Sequence, residues 1–168
     1  MKNDTRTLKK AKVKPARRPF VVFLLICLLA LLGVGAVFGG AALIISPNGQ
    51  LMGMPLSMLD NSCFTNFLIP GIILFSLLGV TPILLIFALV KTPQNKLAEF
   101  FNLYPDMHWA WTYSVYIGFA LIIWIQVEMI ILEAVYWLHT FYMFFAIAIL
   151  VVSLLPGVRS RYRKPVQQ

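Results

Sequence analysis

Residues 20–45 form the sequence FVVFLLICLLALLGVGAVFGGAALII, which contains no charged side chain. An α-helix rises about 1.5 Å per residue, so about 20 apolar residues cross the hydrocarbon core of a bilayer. The run therefore predicts a membrane-spanning helix that is long enough to cross with tilt. The whole chain agrees with this, since 60% of its 168 residues are hydrophobic and 12% are charged. Soluble domains are about half apolar and about a quarter charged.

Three more apolar segments follow, at residues 67–90, 109–133 and 138–155. Residues 109–155 are too long for one crossing, so this stretch is predicted to contain two spans. The short connection between those two spans predicts antiparallel neighbours. The expected fold is all-α, a four-transmembrane-helix bundle over residues 19–157.

The distribution of Lys and Arg predicts the orientation. Eight of the fourteen lie in residues 1–18, two in the loop 91–108 and four in residues 158–168, while the other two loops have none. Because Lys and Arg concentrate on the cytoplasmic side, both termini are predicted to be cytoplasmic in the plasma (bacterial inner) membrane. Residues 1–18 are predicted to be a disordered basic arm, and residues 158–168 a basic tail.

Anionic lipid headgroups are the partners expected at these two basic segments. Nucleic acid is not expected, because the segments have few aromatic side chains to stack on bases. The first span has an alternative interpretation as a signal peptide, with cleavage after Ala36. Against cleavage, the apolar run continues to Ile45 and the basic segment is long for a signal peptide.

The outer loop, residues 46–66, is unusually apolar. A short interfacial helix is predicted from Pro55 to Leu59, and the loop is expected to cap the outer end of the bundle. The inner loop, residues 91–108, has apolar side chains at helical spacing. They predict a short amphipathic cytoplasmic helix that lies on the membrane, with Lys96 and Glu99 facing water.

Small residues and a proline modify the first two spans. Gly35 and Gly39 have the i, i+4 spacing of a close helix contact, and Gly40 extends the small-residue face. We predict packing within the chain, with a homodimer contact as the alternative. Pro82 lies in the middle of the second span and is expected to kink it, because the carbonyl one turn earlier loses its donor.

Four side chains form the candidate intramembrane polar site: Gln126, Glu128, Glu133 and His139. The predicted orientation places them toward the outer leaflet. Gln126 and Glu133 share a helix face, whereas Glu128 lies about 200° from Gln126. In the structural interpretation, the two acids reach interfacial water or hydrogen-bond to neighbouring groups. In the functional interpretation, Glu128 holds a proton or cation in a cavity.

No catalytic, cofactor or metal motif is found. Cys27 and Cys63 lack CxxC spacing, and no disulfide is expected. The leading prediction is a non-enzymatic accessory or structural membrane component, in a homo- or hetero-oligomer. The alternative is a small transporter or proton-coupled carrier that uses Glu128 and Gln126. A third option is an enzyme acting on lipids, with candidate groups Asp60, Asn61, Ser62 and Glu133.

Several segments resemble uncharacterised small four-span proteins of bacterial inner membranes: residues 39–49, 53–56, 67–71, 124–126 and 155–159. The resemblance implies a four-span fold and an inner-membrane location, and it supplies no activity and no functional residues. Small multidrug exporters have a Glu in the first span, and thiol-oxidising four-helix proteins have paired loop cysteines. This chain has neither feature.

Overall fold

The structure is a computed structural model that describes residues 19–60 and 62–165. The predicted basic arm 1–18, Asn61 and residues 166–168 lie outside the described residues. The described chain is helical and has no strands, and four of its helices are long and apolar enough to cross a membrane. The predictions of an all-α fold and of four apolar spans are therefore confirmed.

The elements follow one another along the chain, and the second span combines two α-helices with a π-helical segment. In order they are α1 (Pro19–Ile45), 3₁₀ turns at Gln50–Met52 and Leu56–Leu59, α2 (Leu68–Ile73), a π-helical segment (Leu74–Val80), α3 (Thr81–Lys91), α4 (Lys96–Phe100), α5 (Trp109–Leu132), α6 (Trp137–Leu154) and α7 (Pro156–Tyr162). The end of the molecule with α4 and α7 is called the inner end, and the end with the 3₁₀ turns the outer end.

Each span packs against two others. The first contacts the second and the fourth, and the third contacts the second and the fourth. The shared core is apolar, with Leu25, Leu29, Leu78 and Ile149 fully buried.

Side-chain caps set the ends of α5 and α6. The His108 ring Nδ1 accepts a hydrogen bond from the Ala110 amide at 3.2 Å, which satisfies a free donor at the start of α5. The His139 ring does the same for Tyr136, at 3.1 Å, at the start of α6. Glu133 ends α5 with a left-handed backbone, φ 47°. The Glu133 turn and the His139 cap mark the point where the apolar stretch 109–155 divides.

Pro82 lies immediately after the π-helical segment, and the span continues through it. Proline has no N–H and cannot bond the carbonyl one turn earlier. The π-helical segment keeps the backbone hydrogen-bonded up to Pro82, since both the amide and the hydroxyl of Thr81 donate to the carbonyl of Ser76. Pro82 was predicted to kink the second span. In the structure it lies just after a π-helical segment, and such segments are a recognised source of helix bending.

The first two spans approach closely at glycines. A Cβ added to Gly40 would lie 2.6 Å from the Phe75 amide nitrogen, and one added to Gly33 would lie 2.8 Å from Cγ1 of Ile83. Gly79 on the second span is equally confined, because a Cβ added there would lie 2.9 Å from Cγ2 of Val37. The backbones meet so closely only because these positions lack side chains.

The predicted Gly35–Gly39 pair lies outside this tight contact. A Cβ at Gly35 would meet only the Tyr142 hydroxyl, and one at Gly39 only Cδ2 of Leu74, each at 3.6 Å. Both distances are ordinary van der Waals contacts. Of the three predicted packing glycines, Gly40 makes the close approach, and Gly33 makes another.

The outer loop packs on the ends of the spans. Leu59 and Phe67 are buried against Leu43 of α1, and Ile131 of α5 packs against the same cluster. Pro55 precedes the 3₁₀ turn Leu56–Leu59, in the region where a short helix was predicted.

The inner loop contains less helix than its periodicity suggested. The α4 helix has five residues and is capped by the Asn95 side chain, which accepts from the amides of Leu97 and Ala98. Leu97 and Phe100 are exposed, whereas Ala98 is buried. Glu99 faces water only in part, because its carboxylate is bonded to Lys164.

Candidate functional site

Two groups of polar side chains stand out in the described chain, one at the inner end and one in the outer half of α5. At the inner end, the Lys164 ammonium donates to Glu99 Oε2 at 2.7 Å. The Asn102 amide donates to the same oxygen at 3.0 Å, and the Thr112 hydroxyl donates to Asn102 Oδ1 at 2.5 Å. These four residues, called the inner network, join the inner loop, α5 and the C-terminal segment.

The inner network favours the charged form of Glu99. Burial alone would raise its pKa, but hydrogen bonds from Lys164 and Asn102 and the nearby positive charge outweigh burial. The pKa of Glu99 is therefore held below its ordinary value of 4.5. A carboxylate that is ionised and bonded in this way supports the loop and has no proton to exchange near neutral pH.

The C-terminal segment is folded against the inner end from residue 156 to residue 165. Val158 and Tyr162 are buried, and the Tyr162 hydroxyl donates to the Leu89 carbonyl of the second span at 2.9 Å. Burial raises the pKa of Tyr162, which keeps this donor protonated. The His108 amide donates to the Tyr162 carbonyl at 2.8 Å. Residues 156–165, called the C-terminal strap, are thus folded across the spans and include much of the predicted basic tail.

The third and fourth spans are also tied by polar contacts near the inner end. The Trp111 indole donates to the Ser153 carbonyl at 2.8 Å, and the hydroxyls of Ser114 and Ser153 lie 3.2 Å apart. All three side chains are buried. These serines therefore join two helices.

In the outer half, α5 presents two different faces. Leu121, Trp124 and Ile125 face the core, and Glu128 continues that face one turn after Trp124. Gln126 lies on the opposite, exposed face. The sequence-based expectation that these two side chains point apart agrees with their placement.

Glu128 is half-buried and lies beside the indole of Trp124. The Trp124 side chain is 8% exposed, and its Nε1 makes no regular hydrogen bond with any described residue. The Glu128 carboxylate interacts with this indole N–H more loosely. A carboxyl group beside a buried indole N–H is the arrangement in the outer half that comes nearest to a binding site.

Glu133 and His139 act at helix ends. Glu133 is exposed and follows α5 as its C-cap, and His139 is buried at the first turn of α6. His139 also interacts with the Ala134 carbonyl in the turn between the two helices. The four predicted site residues therefore occupy three environments: an exposed face, the core face and a helix turn.

The described residues hold no group of three or more His, Cys, Asp or Glu side chains that could bind a metal. Cys27 and Cys63 are free thiols. Of the residues considered for lipid chemistry, Asp60 is exposed and the Ser62 hydroxyl bonds to the backbone of Phe64. Asn61 lies outside the described residues.

No protein-family model, curated protein or solved structure matches this chain. The inner network was missed from the sequence because its charged partners are 65 residues apart. The sequence contains only a weak signal for this network. Glu99 lies in the inner loop and several cations follow the last span, and the predicted orientation places these two segments at the same end of the molecule.

Proposed function

We propose that this chain is a non-enzymatic accessory or structural component of the bacterial inner membrane, a four-span bundle with cytoplasmic termini. The inner network is the observation that carries the proposal. Its polar groups bond to one another and fix the inner loop and the C-terminal strap to the ends of the spans. Side chains used in this way contribute rigidity, which a scaffolding component requires.

Charge and apolar surface at the inner end support the proposed orientation. Five exposed cations lie there, at Lys91, Lys96, Arg159, Arg161 and Arg163. Exposed apolar side chains accompany them in and after α4, at Leu97, Phe100, Phe101 and Leu103. This combination suits the cytoplasmic interface, where apolar side chains enter the membrane and cations meet anionic headgroups.

A second candidate function is a small proton-coupled carrier. Glu128 favours it, because a carboxyl group on the core face of a membrane helix is costly and such groups often lie on ion pathways. Gln126 does not contribute to the same site, since it points to the exposed face. The carrier alternative therefore depends on Glu128.

Two substitutions of Glu128 separate the candidates. Wild type, Glu128→Gln and Glu128→Leu are reconstituted in vesicles that contain a pH-sensitive dye, and proton uptake is measured under an imposed potential. We expect all three to match protein-free vesicles and Glu128→Leu to be at least as stable as wild type. Glu133→Gln, an acid at the helix end, is the matched control.

Proton uptake by wild type that disappears in a folded Glu128→Gln variant would overturn the structural proposal and establish the carrier. Insertion and thermal unfolding are measured for each variant, so that loss of uptake is not confused with loss of fold. Unchanged or increased stability of Glu128→Leu, with no uptake in wild type, removes the carrier alternative.

A further inference from the structure

Gln126 is a polar side chain on the lipid-facing side of a span. Ile123 and Ile130, one turn away on either side of it, are 63% and 75% exposed, and Phe119 continues the same stripe. Gln126 itself is exposed and makes no side-chain hydrogen bond with the described residues. The outward face of α5, defined here by Phe119, Ile123, Gln126 and Ile130, is therefore apolar except for one amide.

The position of Gln126 along α5 places this amide within the hydrocarbon region. The helix of 24 residues is about 36 Å long, and the hydrocarbon core is about 30 Å thick. Gln126 lies about 8 Å from the helix midpoint, so about 7 Å of hydrocarbon separates its Cα from the interface when the helix is centred. Leaving an amide without a partner at this depth is unfavourable, because lipid chains cannot hydrogen-bond to it.

We propose that two copies of this chain associate through the outward face of α5, with the Gln126 amides hydrogen-bonded to each other. Two copies inserted in the same orientation hold Gln126 at the same depth. A glutamine amide both donates and accepts, so a two-fold pair satisfies both side chains with two reciprocal bonds. Such interhelical bonds are a known source of association between membrane helices.

The neighbouring side chains suit this contact. Ile123 and Ile130 flank the amide at one-turn intervals and would pack around the two-fold axis. Gly33 and Gly40 of α1 are not available for the same role, because the second span of the same chain covers them. The contact deepens the proposed function, since it makes the structural component a dimer.

The test uses a cysteine reporter beside Gln126. In a background with Cys27→Ala and Cys63→Ala, Ile130→Cys places a thiol on the proposed face. Phe38→Cys, on the exposed side of α1 and matched in exposure at 74%, is the control. Each is reconstituted in lipid vesicles and oxidised, and disulfide-linked dimer is measured on non-reducing gels. We expect dimer from Ile130→Cys and little from Phe38→Cys.

The contribution of the amide is measured separately, by energy transfer between labelled copies as lipid dilutes the protein. We expect Gln126→Leu to raise the dissociation constant about 5–30-fold and Gln126→Asn to retain most of the association. Equal crosslinking at both reporters, or an unchanged dissociation constant in Gln126→Leu, would overturn the dimer. Neither result bears on Glu128 or proton uptake, so failure here leaves the proposed function standing.

Discussion

At the residue scale, the backbones of the first two spans meet closely where Gly40 lies against Phe75. A methyl group at Gly40 would lie 2.6 Å from the amide nitrogen and 2.8 Å from Cα of Phe75, and neither backbone atom moves without moving the second span. We expect Gly40→Ala to reduce the free energy of unfolding by about 1–3 kcal/mol. Unfolding of the purified protein in bicelles measures the change.

Gly35→Ala is the matched control, because its new methyl group would lie no closer than 3.6 Å to the Tyr142 hydroxyl. It changes the same residue type in the same helix, and we expect little effect. A loss of stability at Gly35 equal to that at Gly40 would contradict the contact described between the first two spans.

The glycine contact shows the limit of a prediction made from local sequence spacing. The i, i+4 spacing drew attention to Gly35 and Gly39, yet the confined positions are Gly33 and Gly40, which are seven residues apart and also share a helix face. Several small residues lie along α1, and only the position of the second span decides which of them is covered. That position depends on contacts between distant parts of the chain.

At the scale of elements, the inner network makes the stability of the C-terminal strap depend on pH. The pKa of Glu99 is lower in the folded protein than its ordinary value of 4.5. The stability that this group contributes is therefore present above pH 4.5 and is lost as the pH falls through the lowered value. We expect hydrogen exchange in residues 162–164, corrected for intrinsic rates, to rise as the medium is acidified below pH 4.5.

The expected size of this effect is small, because Glu99 and Lys164 side chains are 26% and 36% exposed. A contribution of at most about 1 kcal/mol corresponds to an increase of about fivefold in exchange. Lys164→Met should show raised exchange at neutral pH and less response to acid. Arg163→Gln is the control, since its guanidinium lies 4.0 Å from Asp106 and is 71% exposed. Identical acid responses in wild type and Lys164→Met would contradict the role of the ion pair.

The elements differ in how well the sequence predicts them. The long spans follow from hydropathy, because lipid requires every backbone group to bond within its own helix and a helix does this locally. The inner loop is different: the apolar spacing from Leu97 to Tyr104 suggested a longer helix than the five residues of α4. Asn102 instead bonds to Glu99 and to the Met107 carbonyl, which turns the chain toward α5.

At the scale of the whole molecule, charge is unevenly divided between the two ends of the described chain. The exposed cations of the described chain lie at the end where α4 and α7 pack, and the opposite end carries the apolar outer loop. The sequence predicts which end is cytoplasmic because membrane insertion responds to Lys and Arg near the spans. It could not predict which polar groups meet inside the bundle, since that depends on how the four helices rotate about their axes.

The two native thiols allow this orientation to be tested with few changes. Cys63 is exposed in the outer loop, whereas Cys27 is partly covered within α1. A membrane-impermeant maleimide added to spheroplasts should label wild type, and Cys63→Ala should remove the label, because lipid and protein shield Cys27. Ser160→Cys, made in the Cys63→Ala background, places an exposed thiol on α7 at the opposite end. We expect this thiol to react only after the membrane is permeabilised. Labelling of Ser160→Cys in intact spheroplasts, with protection of Cys63, would reverse the proposed orientation and place the inner network on the outer face of the membrane.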